Sequence, residues 1–572
     1  MKNLIFRAIL AILCVGTMEG CDDFLDTSLD QNETGESIET TLGTLWKFGN
    51  AFYTPITDGY TVLDSNLFAA ASDEAQQTKA LCDASYFNQG VINANLNPIS
   101  NLYTDCYEGI RAANFFLDYT ADGKGEYMIG MNRDTINDRP NYERDLASLH
   151  YYQAEAHVAR AYYYSELIKQ YGGVPIVESP YADGQFVSRS SYDEVVDYIV
   201  SEIDNCKDRL AVDWNDYTER NGRFTLGAAL AIKSRTLLYA ASLRNNPDGD
   251  LAKWEAAAAV LTAVRKKALR TAEAAAAAAY DLISNSELNY SLDSDYGSYF
   301  VGNRSLSSPE TIYVVRRGMS NDMEKNNYPI ATQGGASGVT PTHNLVKAYE
   351  WIGEVDPANP YANRDPRLEA SIVTNGSTWN GRTIDQSAGA MDDMAQPNAS
   401  RTGYYLKKFL TDNLNLTQGA TAQHNWVVFR YAEILLNYAE AMNEAYGPDD
   451  NNGYTLTARE ALQIVRDRAS MLLPEVTAEN KDDFREAVRH ERRIELAFED
   501  HRYWDLLRWK DAMEVLNEPV YGVKVAKTDG NGWSYEEVEV AKRTFLERNY
   551  YMPFSRSEVE NSNHTLEQNP GY

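Results

Sequence analysis

Three stretches carry small residues along one face of a helical repeat, and they limit the possible folds more than any other feature. In AEAHVARAYYYSELIKQYGG, Ala154, Ala161, Tyr164 and Leu167 fall at i, i+7, i+10 and i+13, one stripe ended by Gly172 and Gly173. FTLGAALAIKSRTLLYAAS (Phe224 to Ser242) and RYAEILLNYAEAMNEAYG (Arg430 to Gly447) repeat the style. Alanine facing alanine lets helix axes approach closely, as antiparallel pairs do in tetratricopeptide-type arrays. The alanine run inside Trp254 to Leu282 predicts one more long helix from propensity alone.

Between these helices, roughly Thr54 to Asn101, Ser284 to Thr342 and Asn375 to Gln423 are rich in Gly, Ser, Asn and Thr. They far exceed the usual connection of about 4–6 residues, a length that marks functional or disordered loops. Aromatic residues argue against disorder: Tyr86, Phe87, Tyr290, Tyr296, Tyr299, Phe300, Tyr328, Trp351 and Trp379 sit in or beside these loops. Each ring either pins its loop to the body or lies flat against a ligand. With 39 tyrosines against 17 phenylalanines, the chain favours rings that keep a hydroxyl in water.

A net charge of −30 argues against nucleic acid or anionic lipid headgroups as ligands. At the N-terminus, Lys2 and Arg7 precede an apolar run, Ala8 to Val15, that is too short to span a bilayer and reads as a cleaved signal over residues 1–20. Gly20 before Cys21 resembles a bacterial lipobox, in which the cysteine is acylated; an ordinary secretory signal is the alternative. Three cysteines remain, Cys82, Cys106 and Cys206, so one disulfide at most can form, with Cys82 and Cys106 the closer pair. None has zinc-site spacing.

The stretch HERRIELAFEDHRYWDLLRW (490–509) packs histidines, carboxylates and arginines together like an active site. Glu491, Glu495, Phe498, Arg502, Asp505 and Trp509 share one face if the helix is continuous, and Arg492, Arg493 and Arg508 are available as charge partners. Ile494 stands where a metalloprotease helix needs its second histidine, and the chain has no phosphate-binding Gly-Lys loop, Gly-x-Ser-x-Gly elbow or calcium loop of EF-hand spacing. The stretch is expected to be framework.

ERRIELAFE (491–499) with RYWDLLRW (502–509) resembles the SusD/RagB outer-membrane glycan-binding lipoproteins. CDDFLD at Cys21, SDEA at Ser72, EGIRAAN at Glu108, ARAYYYSELIKQYGGVPIV, FRYAEILLNYAEAMNEA and the terminal YYMPFSRSEVENSNHTLEQNPGY are similar to the same family, over essentially the whole mature chain. Asp500-His501 departs from it, standing where a glycine is usual after ELAFE.

The resemblance implies an all-α fold: four tetratricopeptide-like helix pairs in an α-α superhelix, with a loop-rich ligand-binding lobe. It divides the chain into a signal (1–20), an N-terminal helical region (21–242) and a C-terminal region with long loops (243–572). It implies a lipid anchor at Cys21, a place on the extracellular face of the outer membrane, and a SusC-like TonB-dependent transporter as partner. The implied activity is glycan capture without catalysis and without a cofactor, a structural calcium ion being left open. By the family layout, the expected glycan-binding residues are Asp73, Gln76, Tyr86 and Asn88 from the first loop and Tyr296, Tyr299, Asn321 and Tyr328 from the second. A glycoside hydrolase on a helical scaffold and a purely protein-binding scaffold are the alternatives.

Overall fold

The computed structural model describes residues 41–179, 186–214, 222–245, 275–277, 279–280, 282–284, 288–530 and 532–572. The predicted leader, the lipidation position Cys21 and most of the alanine-rich segment beginning at Trp254 lie outside the described residues.

The principal helices are α1 (Leu42–Ala51), α2 (Asp83–Asn88), α3 (Asn101–Thr120), α4 (Arg139–Tyr171), α5 (Tyr192–Cys206), α6 (Leu226–Ala241), α7 (Asp322–Asn327), α8 (Tyr431–Tyr446), α9 (Ala458–Arg466), α10 (Lys481–Glu495) and α11 (Arg502–Trp509). Their order in space is a stack: α4 lies between α3 and α5, α5 packs on α6, and α6 reaches α8, which holds α9 and α10. The predicted stripe forms only the second half of α4, whose 33 residues run about 50 Å. Gly172, at φ +74°, ends it. Close approach has a visible cause in α3, where a Cβ on Gly109 would stand 2.1 Å from the ring of Tyr163. Polar caps fix the starts: Ser191 with Glu194 closes α5 and Thr457 with Glu460 closes α9, both as capping boxes.

The loop-rich lobe is not bare coil. It holds β1 (Ala75–Gln77), β2 (Thr311–Ser320), β3 (Val339–Pro341), β4 (Ala422–Arg430), β5 (Val520–Lys527) and β6 (Trp533–Ala541). These pair antiparallel as β1–β3, β2–β4 and β5–β6, each a two-stranded sheet. The first pairing, Gln76 opposite Thr340, ties the first loop region to the second across 264 positions.

Residues 490–509 are framework, but not as one continuous helix. The chain leaves α10 at Glu495, turns through Phe498 at φ +66° and Asp500 at φ +64°, and re-enters the helix at Arg502. The break changes the partners. Glu495, fully buried, accepts from Arg367 at 2.9 Å and from Arg430 and Arg468 at 2.7 Å each, all distant in sequence. Asp505 takes Arg492 and Arg508, and Arg508 also holds Glu440. Removing one member of such a network strands a buried charge, at a cost on the order of 3–5 kcal/mol. Cys82, Cys106 and Cys206 are all free thiols, so the pair considered from spacing is not formed. Among the described residues no helix is long and apolar enough to cross a membrane.

Candidate functional site

Most of the residues expected to touch glycan are already occupied. Asp73 accepts from Arg493 at 2.6 Å and from Arg502 at 2.8 Å, and the two guanidiniums hold its carboxyl far below the usual range against the opposing effect of burial. It is a counterion of the framework. Asn88 ends α2 with its amide donating to the Ala70 carbonyl, and Asn321 donates to the Ala420 carbonyl; both side chains are buried. The three tyrosines of the second loop are 3, 1 and 0 % exposed for Tyr296, Tyr299 and Tyr328. The Tyr296 hydroxyl donates to the Glu495 carbonyl, that of Tyr299 pairs with Thr311, and that of Tyr328 donates to the Thr411 carbonyl. Such rings offer no open face to a sugar, and the structure places these six residues against protein partners. Burial favours a large ring wherever its hydroxyl finds a partner inside, and here each did.

Gln76 and Tyr86 keep partial exposure. Gln76 sits in β1 and accepts from Arg543 at 3.3 Å, while Tyr86 packs its ring on the core from α2. The two loops do converge through β1–β3, yet Tyr296 and Tyr299 are drawn instead to the buried cluster of Phe300 and Lys408.

A cleft of about 350 Å³ opens where the approach to α6 meets the segments before and at the start of β2. That volume is at the lower end of typical ligand sites, roughly 300–1,000 Å³. Trp214, Tyr290 and Tyr313 line it. Each is positioned by a local contact: Trp214 Nε1 donates to the Phe224 carbonyl at 3.3 Å, and Tyr313 stacks on Phe224 with centroids 4.7 Å apart. Tyr290 lies against Gly227 in the first turn of α6, where a Cβ would come within 2.1 Å of its hydroxyl. Burial pushes the Tyr290 phenol up to about 12, so it stays protonated and can donate.

Polar groups surround these rings. Asp213, Asn289 and Ser307 are exposed at the rim. The one cation in the lining among the described residues, Arg223, is held by Glu155 at 2.7 Å and lies over the Trp214 ring at 4.6 Å. Its charge is therefore balanced from beneath, which suits a neutral polar ligand better than an anion. Among the described residues no group of three or more His, Cys, Asp or Glu is placed to hold a metal ion.

Of this cleft, sequence reasoning reached Tyr290 as a loop aromatic and missed Trp214, Tyr313, Asp213 and Asn289. The signal was present in AVDWND (211–216), a tryptophan between aspartates that lies before the loops judged long enough to matter.

Comparison with known proteins agrees with the fold. The model described as "SusD family" matches residues 309–572, and that described as "Starch-binding associating with outer membrane" matches 23–238. SusD-like protein P38 of Formosa agariphila is 26 % identical over 448 residues, 76 % of this chain and 78 % of that protein. A SusD-like protein of Bacteroides fragilis superposes with a TM-score of 0.71 at 25 % identity, covering 95 % of this chain and 99 % of the other. Surface glycan-binding protein A of Bacteroides fluxus shares the fold with a TM-score of 0.62 at 20 % identity, over 93 % of this chain and all of that one. Two models of one family thus account for both the helical stack and the loop-rich lobe, and the chain belongs to the SusD/RagB family.

Proposed function

We propose that this protein captures glycan at the cell surface and hands it on without turning it over. The observation that carries the reading is the cleft: the half-buried ring of Tyr290, backed by the buried rings of Trp214 and Tyr313 and bordered by Asp213, Asn289 and Ser307, in a chain whose structural neighbours include a surface glycan-binding protein. A sugar presents an apolar C–H face and a border of hydroxyls; the ring of Tyr290 meets the face, while Asp213 and Asn289 meet the hydroxyls.

The interior carboxylates do not support a hydrolase. Glu310, Glu491, Glu495 and Glu499 each accept from buried arginines, which makes them counterions of the framework, and none of them lines the cleft. In the proposed setting Cys21 is acylated, the protein sits on the extracellular face of the outer membrane, and its partner is a SusC-like TonB-dependent transporter. No cofactor enters the reading.

A soluble form lacking residues 1–21, screened on a glycan array and then by calorimetry, is expected to bind at least one glycan saturably and to release no new reducing ends on incubation with it. Release of reducing ends, or binding unchanged in Tyr290→Ala, defeats the reading. Metabolic labelling with a fatty acid, lost in Cys21→Ala, tests the anchor separately.

A further inference from the structure

The charge that the cleft presents is decided by a residue that does not line it. Arg223 is in the lining, and its guanidinium lies over the rings of Tyr152 at 3.8 Å and Trp214 at 4.6 Å. Behind it stands Glu155, on the second half of α4, which is 1 % exposed and outside the lining. The pair is bidentate: Arg223 Nε donates to Glu155 Oε2 at 2.8 Å and Nη2 donates to Oε1 at 2.7 Å. Tyr53, just past α1, adds its hydroxyl to Oε2 at 2.6 Å.

The same carboxylate orders the walls. The Tyr53 oxygen accepts from the Phe224 backbone N–H at 3.0 Å, and Phe224 supports two rings of the cleft: its carbonyl takes Trp214 Nε1, and its ring stacks on Tyr313. A fork of two parallel N–H···O bonds fixes Arg223 in direction as well as in charge.

Of these two roles, the charge is the one that ligand choice reads out. A guanidinium without its counterion, set among aromatic rings, would attract anions over several ångströms, because partly buried charges are screened little. Paired as it is, Arg223 offers no net charge, and Asp213 adds an acidic group at the rim. An anionic sugar would therefore leave water for a cleft whose one described cation is already neutralised, and that desolvation is costly. A neutral sugar exchanges only hydroxyl contacts, for which Asn289 and Ser307 stand ready.

We propose that Glu155 is a specificity-determining residue of the cleft: by neutralising Arg223 it reserves the site for uncharged sugars and turns away those bearing uronate or sulfate groups. The inference rests on the cleft being the glycan site. Glu155 acts through Arg223 without touching the ligand, so it is a positioning residue, and no contact map of a bound glycan would include it.

Arrays carrying neutral oligosaccharides beside the same backbones bearing uronate or sulfate groups, followed by calorimetry on the matched pairs, test it on the soluble chain. Wild type is expected to bind a neutral glycan roughly tenfold more tightly than its anionic counterpart. Glu155→Gln keeps the shape and unmasks the guanidinium. That ratio should then fall roughly tenfold through tighter binding of the anionic member, and the gain should shrink as salt rises. Adding Arg223→Gln to Glu155→Gln removes both charges, and the ratio is expected to return to that of wild type; a role in shape alone would move both variants together. The inference is overturned if wild type binds both members of a pair equally, a result that needs no variant to fold, if Glu155→Gln leaves the ratio unchanged, or if the double variant keeps the gain. Glycan capture at the cleft survives each of these. It fails, and takes this inference with it, only if no glycan binds or if Tyr290→Ala binds as wild type does.

Discussion

Arg502 Nε donates to Asp73 Oδ1 at 2.8 Å, joining two residues 429 positions apart. Arg493 reaches the other oxygen at 2.6 Å, so one aspartate from the first loop fixes both the end of α10 and the start of α11. A carboxylate held by three N–H donors on two guanidiniums is committed to the framework. Its position in SDEA belongs to folding.

Asp73→Ala is accordingly expected to lower stability by about 2–4 kcal/mol, since two partly buried guanidiniums lose their counterion together. Glycan affinity of the folded fraction should not change. Denaturant unfolding and calorimetry on the same preparation separate the two effects; a stable variant with weakened binding would return Asp73 to the site.

A larger loss is expected from Glu495→Ala. Three arginines converge on this side chain, and they also share Glu310, Glu491 and Glu499, so the charges left behind repel one another in the interior. We expect the variant to be recovered poorly or to unfold at markedly lower denaturant. Glu495→Gln, which keeps the shape and some acceptor capacity, should lie between it and wild type; equal stability of all three would show that the network contributes nothing.

How much of this was legible beforehand depends on the reach of the interaction. Helices set by local pattern were readable: small residues at helical spacing located α6 and α8 to within one or two residues, because the alanine face that allows close packing is also a compositional signal. The framework role of residues 490–509 followed from charges on a stripe that also held aromatics. Its break at Asp500 was marked only by the resemblance, which puts a glycine there, since an aspartate in a charged stretch carries no sign of its own that φ turns positive. The binding residues were the least readable. Whether Tyr328 faces water or the core depends on the Thr411 carbonyl, 83 positions away, and on Trp379 at 5.8 Å, neither of which a loop composition reveals.

Two tyrosines make that distinction measurable. Tyr328→Ala removes a fully buried ring and is expected to cost about 3–5 kcal/mol of stability. Tyr290→Ala removes a half-buried ring from the cleft and should instead weaken glycan binding by about 1–3 kcal/mol with little change in melting. The reverse assignment, affinity lost at Tyr328 and stability at Tyr290, would move the site to the second loop.

Glu74, next to Asp73, shows the opposite electrostatics and predicts a pH dependence. Its side chain is 1 % exposed, and the Phe498 backbone N–H is its only direct donor among the described residues, at 3.3 Å. Burial, together with the Asp73 charge, pushes its carboxyl up to about 8, with Arg502 and Arg493 opposing. The folded state therefore holds a proton that the unfolded chain releases near pH 4.5. For a group whose folded value is raised, the stabilising contribution is complete below the unfolded value and is lost as pH rises through the folded one. Between about pH 4.5 and pH 8 the wild-type protein should lose up to ~5 kcal/mol from this group alone, partly offset elsewhere. Glu74→Gln, which mimics the protonated form at every pH, should lack this loss. Denaturant unfolding of both proteins from pH 5 to pH 9 is expected to show the variant gaining on wild type as pH rises. Parallel curves would mean that Glu74 is ionised in the fold, and that Arg502 and Arg493 serve both carboxylates at once.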